Sequence, residues 1–263
     1  IEANHFLSPD MKKVFEKAAD EETSSLGRQI LGQLKENLEI AGSDMIPICQ
    51  DTGMAVVFIS VGQEVHIEGG SLTEAINEGV RQGYVDGYLR KSVVKDPIER
   101  ENTKDNTPAV IHYDIVPGDK IDITIAPKGF GSENMSRVFM LKPADGIEGV
   151  KEAILKAVKD AGPNACPPMV VGVGIGGTFE KCALLAKKAL TRDLDGERPS
   201  GYVRELEDEM LEKINSLGIG PGGLGGTKTA LAVNVETYPT HIAGLPVAVN
   251  ICCHVNRHVH RVI

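Results

Sequence analysis

Three cysteines of this chain occupy positions where their thiols could take part in catalysis or metal binding. Cys49, Cys166 and Cys253 each lie at the boundary between an apolar run and a polar or Pro/Gly-rich turn. A thiol in such a place is a buried apolar residue, a nucleophile or a metal ligand. Three thiols could converge on one iron-sulfur cluster, although ferredoxin-type clusters use four cysteines with C-x-x-C spacing. The spacing alone leaves these alternatives open.

The glycines at 172–177 offer a second kind of chemistry. They satisfy G-x-G-x-x-G after a predicted strand and before a predicted helix, which is the context of a dinucleotide-binding turn. A polar stretch and another helix follow, so no second parallel strand is predicted to carry a ribose-binding acid. A tight strand-to-helix turn that could hold an anion is the plainer interpretation. An NAD-binding dehydrogenase domain stays as an outside alternative.

Two further stretches carry weaker signals. The glycine-rich residues 218–228 have the wrong order of glycine, lysine and hydroxyl for a Walker A loop, which leaves a flexible turn or a backbone anion nest. At the C-terminal end, His254 and His258 would share one face if the segment were helical, and with His260 could bind a divalent metal. A polar end segment is the favoured interpretation there.

Composition excludes several classes of function. The 263 residues carry 28 basic and 37 acidic side chains with no basic block, and the net charge of -9 argues against a nucleic-acid or anionic-membrane partner. The five cysteines show no paired spacing of a secreted disulfide framework. No signal segment or bilayer-spanning apolar run is recognisable. These features predict a cytoplasmic protein.

The order of predicted elements indicates a mixed α/β (α+β) fold, with irregular mixed sheets and flanking helices, that is not a Rossmann fold. We expect a single domain over residues 1–263 with a helical N-terminal part at about 1–42. Helices are predicted at 11–22, 25–40, 72–89, 146–161, 179–190 and 203–218. Strands are predicted at 54–62, 64–70, 108–116, 120–127, 167–175, 230–238 and 246–253.

Two connections in this order bear on function. Strands 108–116 and 120–127 are expected to pair as a hairpin across Pro117-Gly118-Asp119, because proline and glycine supply turn geometry. The polar residues 91–108 have no predicted structure of their own, which is more typical of a site loop than of a linker.

Several long motifs, taken in order, resemble the α subunit of two-subunit class I fumarases and the related L-tartrate dehydratases. The likeness runs from about Ile1 to the C-terminus. The motifs are PICQDTGM, LRKSVVKDP with NTKDNTPAVIH, APKGFGSENMS, NACPPMVVGVGIGGTFEK, LGIGPGGLGGTKTALAV and ETYPTHIAGLPVAVN.

This resemblance implies a 4Fe-4S cluster held by three cysteines, with the fourth iron open to substrate. The implied ligands are Cys49, Cys166 and one of the terminal pair, where Cys253 is preferred and Cys252 is the alternative. Cys182 is expected to be structural. An open iron acts as a Lewis acid in adding or removing water.

The resemblance also implies a set of substrate contacts. Asp51, next to the first ligand, is the expected catalytic residue, and Arg90 offers a guanidinium fork for a substrate carboxylate. The other expected substrate-binding residues are Gln50, Gly131, Ser132, Asn134 and His241. Two departures from the family pattern, at Gly226-Thr227-Lys228-Thr229 and at Asn234, concern substrate choice and leave the proposed ligands untouched.

The implied activity is reversible hydration of fumarate to (S)-malate, with L-tartrate dehydratase as the alternative. In two-subunit members the catalytic base belongs to a separate β subunit. We therefore expect this chain to work with a β subunit, as an α2β2 heterotetramer, on a small dicarboxylate.

Overall fold

The computed structural model describes residues 1–263 and contains two four-stranded mixed sheets and eight α-helices. The helices are α1 (Glu2–His5), α2 (Pro9–Glu21), α3 (Ser25–Asp44), α4 (Leu72–Asp86), α5 (Phe130–Glu133), α6 (Gly146–Ala161), α7 (Phe179–Ala189) and α8 (Tyr202–Asn215). The strands are β1 (Met54–Gly62), β2 (Val110–Val116), β3 (Ile121–Lys128), β4 (Arg137–Leu141), β5 (Met169–Gly176), β6 (Ala230–Tyr238), β7 (Leu245–Cys252) and β8 (Val259–Val262). The mixed α/β class is confirmed. None of the helices has both the length and the apolarity that crossing a membrane requires.

The chain divides into two compact units, each built from separated segments. The first unit comprises Ile1–Ser8, Leu38–Phe130 and Arg257–Ile263, and the second comprises Pro9–Asn37 and Gly131–Asn256. The first unit contains the sheet ordered β2-β1-β3-β8, and the second contains the sheet ordered β4-β7-β5-β6. The single domain over residues 1–263 stays a prediction.

In the first sheet, β1 separates the two strands that were expected to form a hairpin, so that expectation is wrong. β1 pairs in parallel with β2 and antiparallel with β3. The turn between β2 and β3 passes over the end of β1, where a Cβ at Gly62 would lie 2.4 Å from the Gly118 carbonyl oxygen. The apolar, largely buried β1 takes the central position. The residue types of a turn do not indicate whether a third strand lies between the two strands that the turn connects.

The strand expected at 64–70 is also wrong. These residues form a turn and irregular chain, with the side chains of His66 and Glu68 exposed. Both edges of β1 are already paired, so a strand that directly followed it would find no partner there. Gly69 and Gly70 have φ angles of +84° and +140°, which favour a turn.

Two glycines inside β5 let α7 pack directly on the second sheet. A Cβ at Gly172 would lie 2.2 Å from the Ala186 carbonyl oxygen, and one at Gly174 would lie 2.0 Å from that of Cys182. Gly172 and Gly174 are therefore explained by close contact between helix and strand. A parallel neighbour of β5 does exist, contrary to expectation, because β6 returns beside it after two helices.

The other face of β5 closes the core of the second unit. Val171 and Val173 alternate with the glycines and pack in one buried cluster with α6 and α8. Other large members of that cluster include Ile154, Met169, Ile175, Leu206, Met210, Ile214 and Ile251. A strand buried on both faces gives a rigid base for the loops at its ends.

Replacing Gly174 with alanine is expected to lower the free energy of unfolding by about 3 kcal/mol, because the methyl group must push α7 off β5. Chemical denaturation measures this change. The matched control is Gly32→Ala on an exposed part of α3, where a Cβ meets nothing within 4 Å and a gain of about 0.5–1 kcal/mol is expected. A Gly174→Ala chain as stable as the wild type would contradict the packing.

Candidate active site

Cys49, Gln50 and Asp51 form a tight corner directly before β1. The Cys49 sulfur accepts the N–H of Asp51 at 3.4 Å and lies 3.3 Å from the side-chain oxygen of Gln50. The Asp51 carboxylate accepts two backbone N–H groups, from Gly53 at 3.1 Å and from Phe130 at 2.9 Å. Asp51 therefore ties the corner to the chain that follows β3.

Two buried side chains that the sequence analysis did not single out hold this corner. The Tyr84 hydroxyl lies 3.0 Å from the carbonyl oxygens of both Thr52 and Gly53. The guanidinium of Arg257 donates to the carbonyl oxygen of Asp51, and Arg257 is only 4% exposed. No sequence signal marks either residue, because each is far from the corner along the chain.

Arg90 joins the same corner through Thr52. The Arg90 N–H donates to the Thr52 hydroxyl at 2.9 Å, while the Arg90 side chain is exposed. Buried Asn106, at φ +63°, accepts the Ser92 N–H at 2.6 Å and donates to the Gly53 carbonyl at 3.1 Å. The structure thus brings the predicted Arg90 to the cysteine corner and holds the polar residues 91–108 against it.

Tyr84 gives this corner a pH dependence. Burial raises the pKa of Tyr84 to about 12, whereas the unfolded chain ionises a tyrosine near pH 10. Above pH 10 the unfolded chain loses this proton first, so the free energy of unfolding should fall by about 2–3 kcal/mol between pH 10 and 12. Below pH 10 the contribution is fully present.

Denaturation at a series of pH values measures this fall in the wild type and in Tyr84→Phe. The substitution should remove this part of the pH dependence and leave the remainder unchanged. An identical slope in both chains would show that Tyr84 is not buried as described.

Cys166 and Cys253 lie on neighbouring segments of the second unit. Cys166 has φ +52°, the left-handed region, and its side chain is exposed. Its carbonyl oxygen accepts the N–H of His254 at 3.4 Å and lies 3.1 Å from that residue's Nδ1. The segment carrying Cys253 is therefore bound to the segment carrying Cys166.

The other two cysteines have different surroundings. Cys252 ends β7 and is buried, whereas Cys253 lies just beyond the strand and is partly exposed. Cys182 is buried in α7, where its thiol donates to the Phe179 carbonyl at 3.2 Å. Burial raises the pKa of the Cys182 thiol, which disfavours the thiolate that a metal needs.

The predicted substrate-binding turn lies in and just after α5. Ser132 is buried, and the Asn134 carbonyl accepts a hydrogen bond from Arg137 at 3.0 Å. Glu133, within the same turn, pairs with Lys187 and accepts the Asn250 amide at 2.9 Å. The turn is therefore fixed to α7 and β7, and it includes Gly131, where a Cβ would meet nothing within 4 Å.

His241 and Asn234 lie in contrasting places. His241 is exposed beyond the end of β6, and its Nδ1 accepts the Ala243 N–H at 3.1 Å. Asn234 is buried within β6, donates to the Ala189 carbonyl at 2.9 Å and accepts from Arg192 at 2.9 Å. The side chain of Asn234 is thus engaged inside the protein.

The C-terminal histidines do not share a helical face. Residues 253–258 are irregular and β8 follows, so a site built on helical spacing is wrong. His260 instead lies 2.8 Å from the Asp122 carboxylate across the paired strands β3 and β8. No group of three or more His, Cys, Asp or Glu side chains is assembled so that it could hold a metal ion.

The thiol chemistry nevertheless fits an iron-sulfur cluster. Cys49 and Cys253 are partly exposed and Cys166 is exposed, so all three sulfur atoms are accessible to iron from solvent. Cys49 belongs to the first unit and the other two cysteines to the second.

A family model described as fumarate hydratase (Fumerase) matches residues 1–262. A protein of Methanocaldococcus jannaschii, provisionally named L(+)-tartrate dehydratase subunit alpha, is 44% identical over 262 residues, which cover 97% of this chain and 92% of the relative. The L(+)-tartrate dehydratase subunit alpha of Escherichia coli strain K12 is 32% identical over 255 residues, which cover 95% of this chain and 84% of the relative. The likeness therefore spans nearly the whole chain.

Proposed function

The chain belongs to the fumarate hydratase (Fumerase) family, and we propose that it is the α subunit of a two-subunit iron-sulfur hydro-lyase that interconverts fumarate and (S)-malate. Membership of the family makes it a hydro-lyase. The observation that carries the proposal is the Cys49–Asp51 corner, to which the backbone of Arg90 is bound.

The exposed groups of this corner suit a dianionic substrate. Arg90 presents a planar guanidinium that can bind one carboxylate through two N–H groups. Gln50, in the same corner, is exposed and can donate through its amide. We propose that these two side chains orient the substrate, with further contacts from Gly131, Ser132, Asn134 and His241.

Cys49, Cys166 and Cys253 would hold a 4Fe-4S cluster, with Cys252 disfavoured because it is buried. When bound, such a cluster with one open iron supplies the Lewis acid that polarises the substrate hydroxyl. Accessible thiols of this kind stay reduced in a reducing compartment. We therefore propose a cytoplasmic location.

Asp51 is better placed to hold the corner than to move a proton. Its two carboxylate oxygens accept the N–H groups of Gly53 and Phe130. Both oxygens are thereby engaged in fixing the main chain on either side of the corner. We therefore propose that Asp51 positions Cys49 and Gln50, which narrows the catalytic role first expected for it.

Removal of the proton from C3 of the substrate requires a base, and we propose that a partner subunit supplies it. Both relatives compared above are named as alpha subunits, which supports a β subunit that completes the site. An α2β2 assembly is proposed from the family resemblance alone.

L(+)-tartrate is a second candidate substrate, because both of those relatives carry that name. Tartrate has one more hydroxyl than malate. A site with a hydrogen-bond partner for that hydroxyl would select strongly between the two substrates.

Anaerobic co-expression with the candidate β subunit tests the function. Purified pairs are assayed with fumarate, (S)-malate and each tartrate stereoisomer, and the chain alone is the control. The proposal expects fumarate hydration by the pair and none by the chain alone. Activity on L(+)-tartrate but not on fumarate would establish the second candidate, and a pair inactive on all of them would overturn both.

A further inference from the structure

Glu22 is a buried acid that the proposed function does not use. It directly follows α2 and is 1% exposed. Its carboxylate accepts the N–H groups of Ser24 at 2.9 Å, Thr227 at 2.9 Å and Lys228 at 2.8 Å. The Thr227 hydroxyl is a fourth donor at 3.1 Å. Glu22 therefore binds the main chain of a segment about 200 residues away in the sequence.

The segment it binds is the glycine loop, residues 218–228. Successive N–H groups of Thr227 and Lys228 point at one carboxylate, which is the geometry of an anion nest. A Cβ at Gly226 would lie 2.8 Å from a Glu22 oxygen, so only glycine leaves room for the acid. The anion nest considered from the sequence is thus filled by the protein's own side chain.

Glu22 remains charged in this position. Burial acts to raise its pKa, but the N–H groups of Ser24, Thr227 and Lys228 act more strongly in the opposite direction and leave the pKa below its usual range. An ionised acceptor makes stronger hydrogen bonds than a neutral one. The loop is therefore held by a full charge.

The opposite side of the glycine loop contacts the segment that carries Cys166. The Gly222 N–H donates to the Pro167 carbonyl at 2.8 Å. A Cβ at Gly223 would lie 2.3 Å from the side chain of Pro163, so the two main chains pack closely. The Cys166 N–H in turn donates to the Pro163 carbonyl at 3.1 Å. Continuous contacts within the second unit thus join Glu22 to Cys166.

We propose that Glu22 is a positioning residue that, through the glycine loop, holds Cys166 in its left-handed conformation. The inference rests on the proposed function only where it gives Cys166 a role as a cluster ligand. The mechanical link itself depends on the contacts alone.

The test compares Glu22→Gln with Glu21→Gln in the full chain. Glutamine keeps the size of the side chain but turns an NH2 group toward backbone donors. Glu21 is the matched control, because it is the adjacent acid and binds Lys228 only through the side-chain amine, at 2.6 Å. Amide hydrogen exchange is measured at Thr227 and Lys228, and also at Gly222 and Cys166.

In Glu22→Gln we expect exchange about tenfold faster at all four amides, with wild-type rates in Glu21→Gln. Faster exchange at Thr227 and Lys228 alone would overturn the link to Cys166. Equal effects of both substitutions would overturn a specific role for Glu22.

Glu22→Ala provides a second variant that does not depend on how glutamine is tolerated. Formate can enter the vacated nest and should slow exchange at Gly222 and Cys166, whereas chloride at equal ionic strength should not. No difference between the two salts would contradict the proposal.

Iron release to a chelator from the reconstituted protein separates this inference from the proposed function. Release should be about tenfold faster in Glu22→Gln than in the wild type. A wild-type chain that never holds iron would overturn the proposed function while leaving the exchange results intact. Faster exchange with unchanged iron release would refute the role in cluster binding.

Discussion

Replacing Cys166 with serine should abolish cluster binding and, with it, hydro-lyase activity. A serine hydroxyl does not ionise near neutral pH and is a much poorer ligand of cluster iron than a thiolate. We expect a loss well beyond the roughly hundredfold typical of changes around the outer shell of a metal site. Iron content per chain and the rate of fumarate hydration, both measured anaerobically, check this result.

The terminal cysteine pair provides the matched comparison. Cys253→Ser should behave like Cys166→Ser, because Cys253 is partly exposed on a segment bound to the Cys166 segment. Cys252→Ser should retain iron, because Cys252 is buried at the end of β7. The reverse result would make Cys252 the ligand.

Replacing Asp51 with asparagine should lower kcat/KM by about a hundredfold or more. Asparagine can accept one of the two N–H groups that Asp51 holds, but its NH2 group would face the other, from Gly53 or Phe130. The corner that carries Cys49 and Gln50 would then shift. Steady-state kinetics measure the loss, and amide exchange at Phe130 reports the loosened corner.

The pH profile decides whether Asp51 positions other groups or transfers a proton. A positioning role predicts a lower rate with an unchanged pH profile and faster exchange at Phe130. Loss of one limb of the pH profile with exchange unchanged would instead assign proton transfer to Asp51. Asp119→Asn, an exposed acid in the turn between β2 and β3, is the control and should have no effect.

Elements defined by local pattern could be predicted closely. Helix α6 occupies the predicted residues 146–161, and β6 the predicted 230–238, because apolar periodicity and flanking glycines act within a few residues. The hairpin of β2 and β3 was wrong because β1 pairs between them. The short edge strands β4 and β8 were missed, since each is defined by a distant partner.

The candidate site likewise combines features set by neighbouring residues with features set by distant ones. The Cys49–Asp51 corner is contiguous in sequence, so residue types alone could indicate it. Arg257 and Glu22 could not be found in that way, because each acts on main-chain groups about 200 residues away. Acids near the end of a helix are ordinarily solvated, and nothing in the sequence distinguishes Glu22 from Glu21.

Fumarate hydration and iron content can be followed together in one reconstitution experiment. The α chain is purified anaerobically with its β partner, stripped of iron, and reconstituted with increasing Fe²⁺ and sulfide while (S)-malate formation from fumarate is measured by NMR. We expect activity to rise in proportion to the cluster signal and to disappear in Cys49→Ser. Full activity without iron, or a complete cluster with no activity on any four-carbon dicarboxylate tested, would contradict this expectation.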